Sequence, residues 1–301
     1  MILNRRFCIA ITLLFTASIT QSCVGRLFST HPTIKIGSKE FTEQYLLGHM
    51  FEIALDNAGY AADYQSVGSS EENHNALVSG EIDLYPEYTG TAFIVHLKQT
   101  YKSTMSAADV YEKVASEYAK QFNIVLLAPA SFNNTYALVM RKDKAQKLNV
   151  ATISELSDKT DKLTLGTDLE FLDRNDGLSA LQEFYGGLNF EKVKSLTPDL
   201  LYTGLDSGDF DVTTGYTTDG QISALDLLVL EDNKQFWPPY RVAPFIRQEV
   251  IDTNPEITNV INSVTSLLDD KTMSVLNWEV AGNGRDPEEV ARDFLEEQGI
   301  L

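Results

Sequence analysis

Four of the 13 tyrosines lie at polar-flanked positions that follow predicted strands: Tyr88, Tyr136, Tyr216 and Tyr240. The faces of aromatic rings attract cations. A quaternary ammonium suits such faces because it has apolar methyl groups and no N–H to donate to a carboxylate. Four rings contribute roughly 0.5–2 kcal/mol each, whereas micromolar binding needs about 8 kcal/mol net, so a second anchor is required. The alternative is that each ring is a half-buried core residue.

Three features are suited to holding a carboxylate on the same ligand. Lys39 follows the first predicted strand, and Arg174 follows "LGTDLEFLD" at the start of a predicted helix. Thr91 is expected to cap or open the predicted helix "AFIVHLKQ", whose free N–H groups suit an anion. Asn134 is expected to bond either the ligand or the backbone of a hinge. The alternative for Lys39 and Arg174 is a solvated side chain without a binding role.

Two segments of the chain align without a gap, which places Tyr88 and Tyr216 in the same column. The first, "SGEIDLYPEYTGTA", begins at Ser79, and the second, "SGDFDVTTGYTTDG", begins at Ser207. Each pattern predicts a helix that ends at glycine, a strand, and a tyrosine just past the carboxyl end of that strand. Ligands of open α/β sheets bind beyond those strand ends. The repeat therefore predicts two facing halves of one site, although helix–glycine–acid–strand joints are also common in α/β proteins without a shared site.

The elements that must position these residues form two α/β units. Strands and helices alternate from Thr33 to about residue 133, which predicts a largely parallel sheet with helices on both faces. The pattern restarts near Asn134, and the chain after Phe236–Arg247 reads as helical to its end. We expect one lobe from 33–133 plus 241–301 and a second lobe from 134–240. The two crossings between the lobes would allow them to hinge around a ligand.

The first 23 residues have the pattern of a signal peptide. Arg5 and Arg6 precede the apolar run Phe7–Phe15, and the segment ends at Cys23. We expect export and a lipid anchor on Cys23, which places the protein in the periplasm or at the cell surface. The alternative is ordinary cleavage nearby and a secreted product. No later run approaches about 18 apolar residues, and the chain has two cysteines, so no disulfide is expected after cleavage.

Charge and motif content argue against several function classes. The net charge is −19, and it becomes −21 without Arg5 and Arg6, so nucleic acid is a poor partner. The four histidines form no i,i+4 pair and join no cysteine cluster, so no metal is expected. Nucleophile-elbow, phosphate-loop and dinucleotide motifs are missing from the sequence. We therefore expect neither an enzyme nor a bound cofactor.

Five sequence blocks resemble the signature blocks of glycine betaine/carnitine/choline-binding proteins of osmoprotectant ABC importers. They are "GSKEFTEQYLLG", "GEIDLYPEYTGTA", "NNTYAL", "TTDGQI" and "FWPPYRVAPFIR", and the resemblance runs from Ile34 to roughly Leu295. It implies a two-lobed periplasmic-binding-protein fold of type II with a ligand cleft between the lobes. It also implies a monomer that delivers its ligand to an ABC permease in the membrane.

The resemblance assigns roles to individual residues of this chain. It places the ammonium cage on Tyr88, Tyr136, Tyr216 and Tyr240, and the carboxylate contacts on Lys39, Thr91 and Arg174. Asn134 departs from the family pattern, because some members carry aspartate there, and this leaves the choice of quaternary amine open. Two other readings stay open: a binding protein for another solute such as an amino acid, and a sensor that delivers nothing to a permease.

Overall fold

The computed structural model describes residues 33–301, so the predicted signal peptide and Cys23 lie outside the described residues. Within residues 33–301, ten strands form two five-stranded sheets. Sheet 1 contains β1 (Ile34–Lys39), β2 (Ala62–Gly68), β3 (Leu84–Tyr88), β4 (Ile124–Leu126) and β10 (Val242–Arg247). Sheet 2 contains β5 (Tyr136–Arg141), β6 (Thr164–Thr167), β7 (Lys192–Ser195), β8 (Val212–Tyr216) and β9 (Leu227–Val229).

The two sheets have the same topology. Their strand orders are β2-β1-β3-β10-β4 and β7-β6-β8-β5-β9. In each sheet the first three strands in this order run parallel, and the fourth runs antiparallel to both of its neighbours. The prediction of a largely parallel sheet is therefore confirmed for β1, β2 and β3, and β10, which was not predicted as a strand, adds an antiparallel strand to it.

Strand β10 was not assigned from the sequence because a proline interrupts it. Pro244 lies opposite Pro86 of β3, so the two residues that cannot donate a backbone hydrogen bond face each other in the ladder. The carbonyl oxygen of Pro244 still accepts from the backbone N–H of Leu127, at 2.9 Å. The mixed sheet thus accepts a proline in a central strand without leaving a donor of its partner unpaired at that position.

The helices cover the sheets and connect their strands. On one face of sheet 1, Leu46 and Met50 of the first helix pack against Leu84, and on the other face Val110 and Tyr118 pack against Tyr85. A capping box at Ser106 begins the helix that carries Val110 and Tyr118. None of the helices in residues 33–301 is long and apolar enough to span a membrane. The helices are α1 (Thr42–Asn57), α2 (Ser70–Ser79), α3 (Thr89–Thr91), α4 (Ala107–Phe122), α5 (Lys142–Leu148), α6 (Ile153–Ser157), α7 (Leu169–Asp173), α8 (Leu178–Tyr185), α9 (Pro198–Ser207), α10 (Gly220–Ala224), α11 (Gln248–Thr253), α12 (Ile257–Thr265), α13 (Asp270–Ala281) and α14 (Pro287–Glu297), and a π-helical turn (Ala92–His96) continues α3.

The structure confirms the internal repeat. Helices α2 and α9 both end on a glycine in the left-handed region, Gly80 at φ 79° and Gly208 at φ 82°, where a side chain would be strained. The chain then enters β3 or β8, whose last residues are Tyr88 and Tyr216. The same turn and the same strand order therefore place the two tyrosines at equivalent positions in the two sheets.

The chain passes between the sheets at two adjacent segments. Strands before residue 134 and after residue 240 belong to sheet 1, and those between them belong to sheet 2. The backbone N–H of Asn134 donates to the Tyr240 carbonyl at 3.1 Å, and the backbone N–H of Tyr240 donates to Asn133 Oδ1 at 2.7 Å. The two crossings are thus bonded to each other, while the exact lobe boundaries stay a prediction.

Candidate functional site

A cavity of about 780 Å³ lies between the two sheets and is lined by residues of both. Cavities of this size are typical of small-ligand sites. All the residues that the sequence singled out for binding line it: Lys39, Tyr88, Thr91, Asn134, Tyr136, Arg174, Tyr216 and Tyr240. The structure therefore brings together side chains that are up to about two hundred positions apart in the sequence.

Three of the four predicted cage rings form a tight group. Tyr136 begins β5 and Tyr216 ends the antiparallel β8, so the two residues are direct cross-strand partners with ring centroids 5.0 Å apart. Tyr240 lies in the second crossing, and its ring is 6.2 Å from that of Tyr136 at an angle of 88°. Neighbouring rings at such angles present two walls of different orientation to whatever occupies the cavity.

Phe41 is a fifth ring of the cavity that the sequence analysis missed. It lies 5.7 Å from the Tyr216 ring and 6.3 Å from the Tyr88 ring, inclined by 22° to each. Phe41 thus links the tyrosine at the end of β3 to the group on sheet 2. Its place in "GSKEFTEQ", just past the carboxyl end of β1, was the signal that would have found it.

Two cage tyrosines donate their hydroxyl hydrogens to buried carboxylates. Tyr88 donates to Glu43 Oε1 at 2.7 Å, and Tyr240 donates to Asp176. Burial, followed by the charge of Glu43, holds the pKa of Tyr88 well above its usual range. Burial and then the charge of Asp176 do the same to the pKa of Tyr240. Both phenols are therefore neutral at physiological pH, with the hydroxyl fixed on an acid and the ring available to the cavity.

Lys39 is already paired with an acid inside the protein. Its Nζ lies 2.5 Å from Oε1 of the fully buried Glu87 and 4.8 Å from the centroid of the Tyr88 ring. Burial raises the pKa of Glu87, but the charge of Lys39 and the hydrogen bond from His96 outweigh burial and lower it to about 2. A ligand carboxylate at this end of the cavity would share Lys39 with Glu87.

Arg174 is paired in the same way on sheet 2. It binds Asp176 through two hydrogen bonds of 2.7 and 2.8 Å and Glu170 through a third of 3.0 Å. Burial raises the pKa of Asp176, and the hydrogen bonds and charge of Arg174 bring it below its usual value. The guanidinium carbon lies 5.3 Å from the centre of the Tyr136 ring. The guanidinium group of Arg174 is therefore held in place beside the predicted cage, but the acids that bind it already compensate its charge.

The expectation that Thr91 caps a helix is wrong. The helical run begins at Thr89, directly after β3, so Tyr88 occupies the capping position and Thr91 lies inside the helix without a side-chain cap bond. The backbone N–H of Asn134 binds the Tyr240 carbonyl, but within residues 33–301 its side chain does not bond the hinge backbone, and its contact with the ligand stays a prediction. The side-chain amide of Asn134 donates to Glu43 Oε1 at 2.7 Å, and its Oδ1 has no partner among residues 33–301.

The fold and the site define a class of protein: two sheets of matched order around an aromatic cavity, joined by two crossings, make a two-lobed, type II solute-binding protein. The sequence identifies the family within that class. Residues 32–297 match the substrate-binding domain of ABC-type glycine betaine transport systems, and the chain belongs to this family.

Relatives in both sequence and structure agree with this assignment. The chain is 34% identical over 310 residues to the glycine-betaine-binding protein of Pseudomonas aeruginosa, covering 99% of this chain and 96% of that one. A crystal structure of a glycine betaine/carnitine/choline ABC transporter superposes with a TM-score of 0.76 and 31% identity, covering 89% of this chain and 99% of the other.

A third relative is named for a different ligand. The chain is 33% identical over 267 residues to the ergothioneine transport permease/ergothioneine binding protein EgtU of Helicobacter pylori, covering 88% of this chain. The match spans 47% of that protein, so this chain corresponds to about half its length. Relatives that are about equally similar to this chain are therefore named for different ligands.

Proposed function

We propose that this protein captures a quaternary ammonium compound between its two lobes and delivers it to the permease of an ABC importer. The observation that carries this proposal is the ring group Tyr136, Tyr216 and Tyr240, with Tyr88 beyond Phe41, in one cavity shared by both sheets. A methylated ammonium among these rings gains roughly 0.5–2 kcal/mol from each desolvated face. Because ring faces lie on both sides of the cavity, a ligand that contacts both would bind the closed form more tightly and so favour closure of the lobes.

We propose further that Lys39, Thr91 and Arg174 hold a carboxylate of the ligand, and that Asn134 contacts the ligand through its unpartnered Oδ1. Support comes from their shared place in the cavity lining and from the side-chain charges of Lys39 and Arg174. Because Glu87 and Asp176 already compensate these charges, the carboxylate gains less than it would from a free cation. The cage, rather than the carboxylate anchor, then supplies most of the affinity.

The ligands that fit this proposal are glycine betaine, carnitine and choline. Ergothioneine is a second candidate, because it is also a trimethylammonium betaine, a relative is named for it, and the cavity of about 780 Å³ exceeds what a trimethylammonium group alone would fill. An amino-acid receptor is the competing class. It would need an acid facing a primary ammonium at the positions where this cavity presents tyrosine rings; the acids that line the cavity are Glu40, Glu72, Asp168 and Glu170.

A calorimetric panel on the chain without its first 23 residues tests the proposal. We expect micromolar binding of at least one trimethylated amine and no measurable binding of glycine, which has the same carboxylate without the methyl groups. Equal affinity for glycine and glycine betaine, or no binding of any trimethylated amine, would contradict it. A permease-independent sensor would bind the same ligands, and loss of ligand uptake in cells lacking this protein separates the two roles.

We propose that the protein acts outside the cytoplasm, is not an enzyme, works as a monomer and is held to a membrane by a lipid on Cys23. Support for the location comes from its family, whose members serve import, and from the signal-like segment that ends at Cys23. Cys23→Ser should move the protein from the membrane pellet to the soluble fraction after cell fractionation. Continued attachment of that variant would exclude the anchor.

A further inference from the structure

Three buried carboxylates, Glu43, Glu87 and Asp176, lie directly behind the cavity rings, and they differ in their partners. Glu87 is paired with Lys39, and Asp176 is paired with Arg174. Glu43 is 2% exposed, and no lysine, arginine or histidine of residues 33–301 forms an ion pair with it. Glu43 is therefore the member of this group whose charge no protein cation compensates.

Glu43 accepts four hydrogen bonds, all from neutral groups. Oε1 accepts from the Tyr88 hydroxyl and the Asn134 amide, each at 2.7 Å. Oε2 accepts from the Thr218 hydroxyl at 2.7 Å and the Asn277 amide at 3.1 Å. An ionised carboxylate has about four acceptor positions, and here each has a donor. The bonds fix the carboxylate in place, but they leave its full negative charge in the interior.

A buried charge without a counter-ion is costly, and proteins normally pair it. The surroundings of Glu43 place the missing counter-charge in the ligand cavity. Two of its four donors, Tyr88 and Asn134, line that cavity, while Glu43 itself does not. In an interior of low dielectric constant, attraction extends across a side chain with little screening. A fixed positive charge on the ligand, beyond the Tyr88 ring, would therefore interact with this carboxylate.

Asp219 is a half-buried acid near this site that also lacks an ion-pair partner in the part of the chain that the structure describes. It accepts from the Tyr202 hydroxyl at 2.6 Å and the Tyr216 backbone N–H at 2.8 Å, and so lies behind the other half of the cage. Neither of its donors places it next to the Tyr88 hydroxyl. Glu43, in contrast, is bonded directly to the hydroxyl of a cage ring, Tyr88, and to the side-chain amide of Asn134.

We propose that Glu43 is the fixed counter-charge of the cation subsite, a positioning residue that makes the site select positive charge rather than methyl surface. It acts through Tyr88 and Asn134 without touching the ligand. A phenol that donates to a carboxylate has a more electron-rich ring, which strengthens its attraction for a cation. This inference rests on the proposed function, because it assumes that the ligand occupying this cavity is a quaternary ammonium compound.

The test compares each ligand with an analogue of the same shape that lacks the positive charge, because carbon replaces the quaternary nitrogen. One pair of probes is choline and its tert-butyl analogue 3,3-dimethylbutan-1-ol, in which carbon replaces nitrogen. The other pair is glycine betaine and its carbon analogue 3,3-dimethylbutanoate. In the full chain, Glu43→Gln should weaken choline or glycine betaine at least tenfold and change the matching carbon analogue less than twofold. The cation-to-analogue ratio of affinities is therefore the readout, since a merely structural change would weaken both members of a pair together.

Two further variants serve as controls. Glu43→Asp keeps the charge, so its ratio should stay at the wild-type value even if both affinities fall. Asp211→Asn removes a carboxylate that is paired with Lys144 at the start of β8, at the opposite end of the strand from Tyr216, and its ratio should also be unchanged. Glu43→Met removes the charge with a different shape, in case the glutamine variant does not fold.

Each outcome either supports or overturns the proposal. Equal weakening of both members of a pair, an unchanged ratio in Glu43→Gln, or a lowered ratio in Glu43→Asp would overturn it. Failure of both Glu43→Gln and Glu43→Met to fold, judged by circular dichroism, would make Glu43 a folding residue and also overturn it. If the wild-type chain binds no methylated amine at all, the proposed function fails first, so the two failures are distinguishable.

Discussion

The two sheets share one plan, yet the tyrosines that end β3 and β8 have different surroundings. Behind Tyr88 lie two charged groups: the pair Lys39–Glu87 and the unpaired Glu43. Tyr216 instead packs against other rings, with Tyr136 at 5.0 Å and Phe41 at 5.7 Å. The same backbone turn thus presents two differently held tyrosines. The hydroxyl of Tyr88 donates to an acid, whereas the side chain of Tyr216 packs among rings and only its backbone N–H binds an acid, Asp219.

This difference suggests that the two sheets contribute different properties to the cavity. Next to Tyr88 the cavity adjoins an acid that no lysine, arginine or histidine of residues 33–301 compensates, whereas Tyr136 and Tyr216 present two adjoining rings from sheet 2. A repeated joint fixes where a side chain emerges, whereas the residues behind it decide its chemistry. The four predictions below test this comparison, from the largest expected effect to the smallest.

The largest effect should come from the acid behind Tyr216. Burial, with a smaller contribution from the charge of Glu43, raises the pKa of Asp219 from 3.8 to about 6. The folded protein therefore holds this proton more tightly than the unfolded chain, so the free energy of unfolding contributed here is present below about pH 4 and is lost as the pH rises through about 6. The shift corresponds to roughly 3 kcal/mol.

Asp219→Asn should remove this loss, because the amide oxygen still accepts from Tyr202 and Tyr216 and carries no charge. We expect the variant to equal the wild type near pH 4 and to be more stable by up to about 3 kcal/mol near pH 7, measured by urea unfolding at both values. A difference that is independent of pH would mean that Asp219 is not the titrating group.

The second effect concerns the ring surface of sheet 2. Tyr216→Ala should weaken glycine betaine by more than about 1.4 kcal/mol, or tenfold, because the cage loses a ring that touches both Tyr136 and Phe41. Tyr216→Phe keeps the ring, and since the hydroxyl makes only a 3.5 Å contact with Tyr136, it should bind within about twofold of the wild type. Unchanged calorimetric titration of the alanine variant would remove Tyr216 from the cage.

The third effect separates the carboxylate anchor from the cage. Arg174→Ala should weaken glycine betaine more than choline, which has no carboxylate, by roughly fivefold or about 1 kcal/mol. The difference is modest because Asp176 already shares the guanidinium. Arg141→Ala is the matched control, since Arg141 ends β5 of sheet 2 and donates to the Leu205 carbonyl rather than lining the cavity. Equal losses for the two ligands would refute the carboxylate role.

Local signals in the sequence predicted much of this arrangement. The aligned segments carried the glycine turns and the paired tyrosines, because those features depend on residues within about a dozen positions. The cavity lining followed from strand ends meeting at one edge, and from the resemblance of whole blocks. Contiguous stretches of the sequence encode these parts of the site, so local sequence patterns are sufficient to predict them.

The charge network behind the rings was not predicted, for a physical reason. The four donors to Glu43 lie 45, 91, 175 and 234 positions after it in the chain, on four different segments. No local pattern distinguishes such a glutamate from a solvated acid on an exposed helix face. Strand β10 was missed because a segment that contains a proline does not have the pattern of a central strand.

The smallest effect tests how closely the two joints correspond. Gly80 and Gly208 both cap a helix in the left-handed region, so alanine at either position should cost roughly 1–2 kcal/mol of unfolding free energy. The neighbours differ, because a Cβ at Gly80 would lie 1.8 Å from Arg247 Nη1, whereas one at Gly208 would lie 3.1 Å from Arg141 Nη1. Arginine ends move easily, so we expect Gly80→Ala to cost only about 0.5 kcal/mol more than Gly208→Ala in urea unfolding. A smaller cost at Gly80 than at Gly208 would show that Arg247 adds no constraint. The two joints would then be equivalent in their backbone alone, and the asymmetry of the cavity would arise entirely from the residues around Tyr88 and Tyr216.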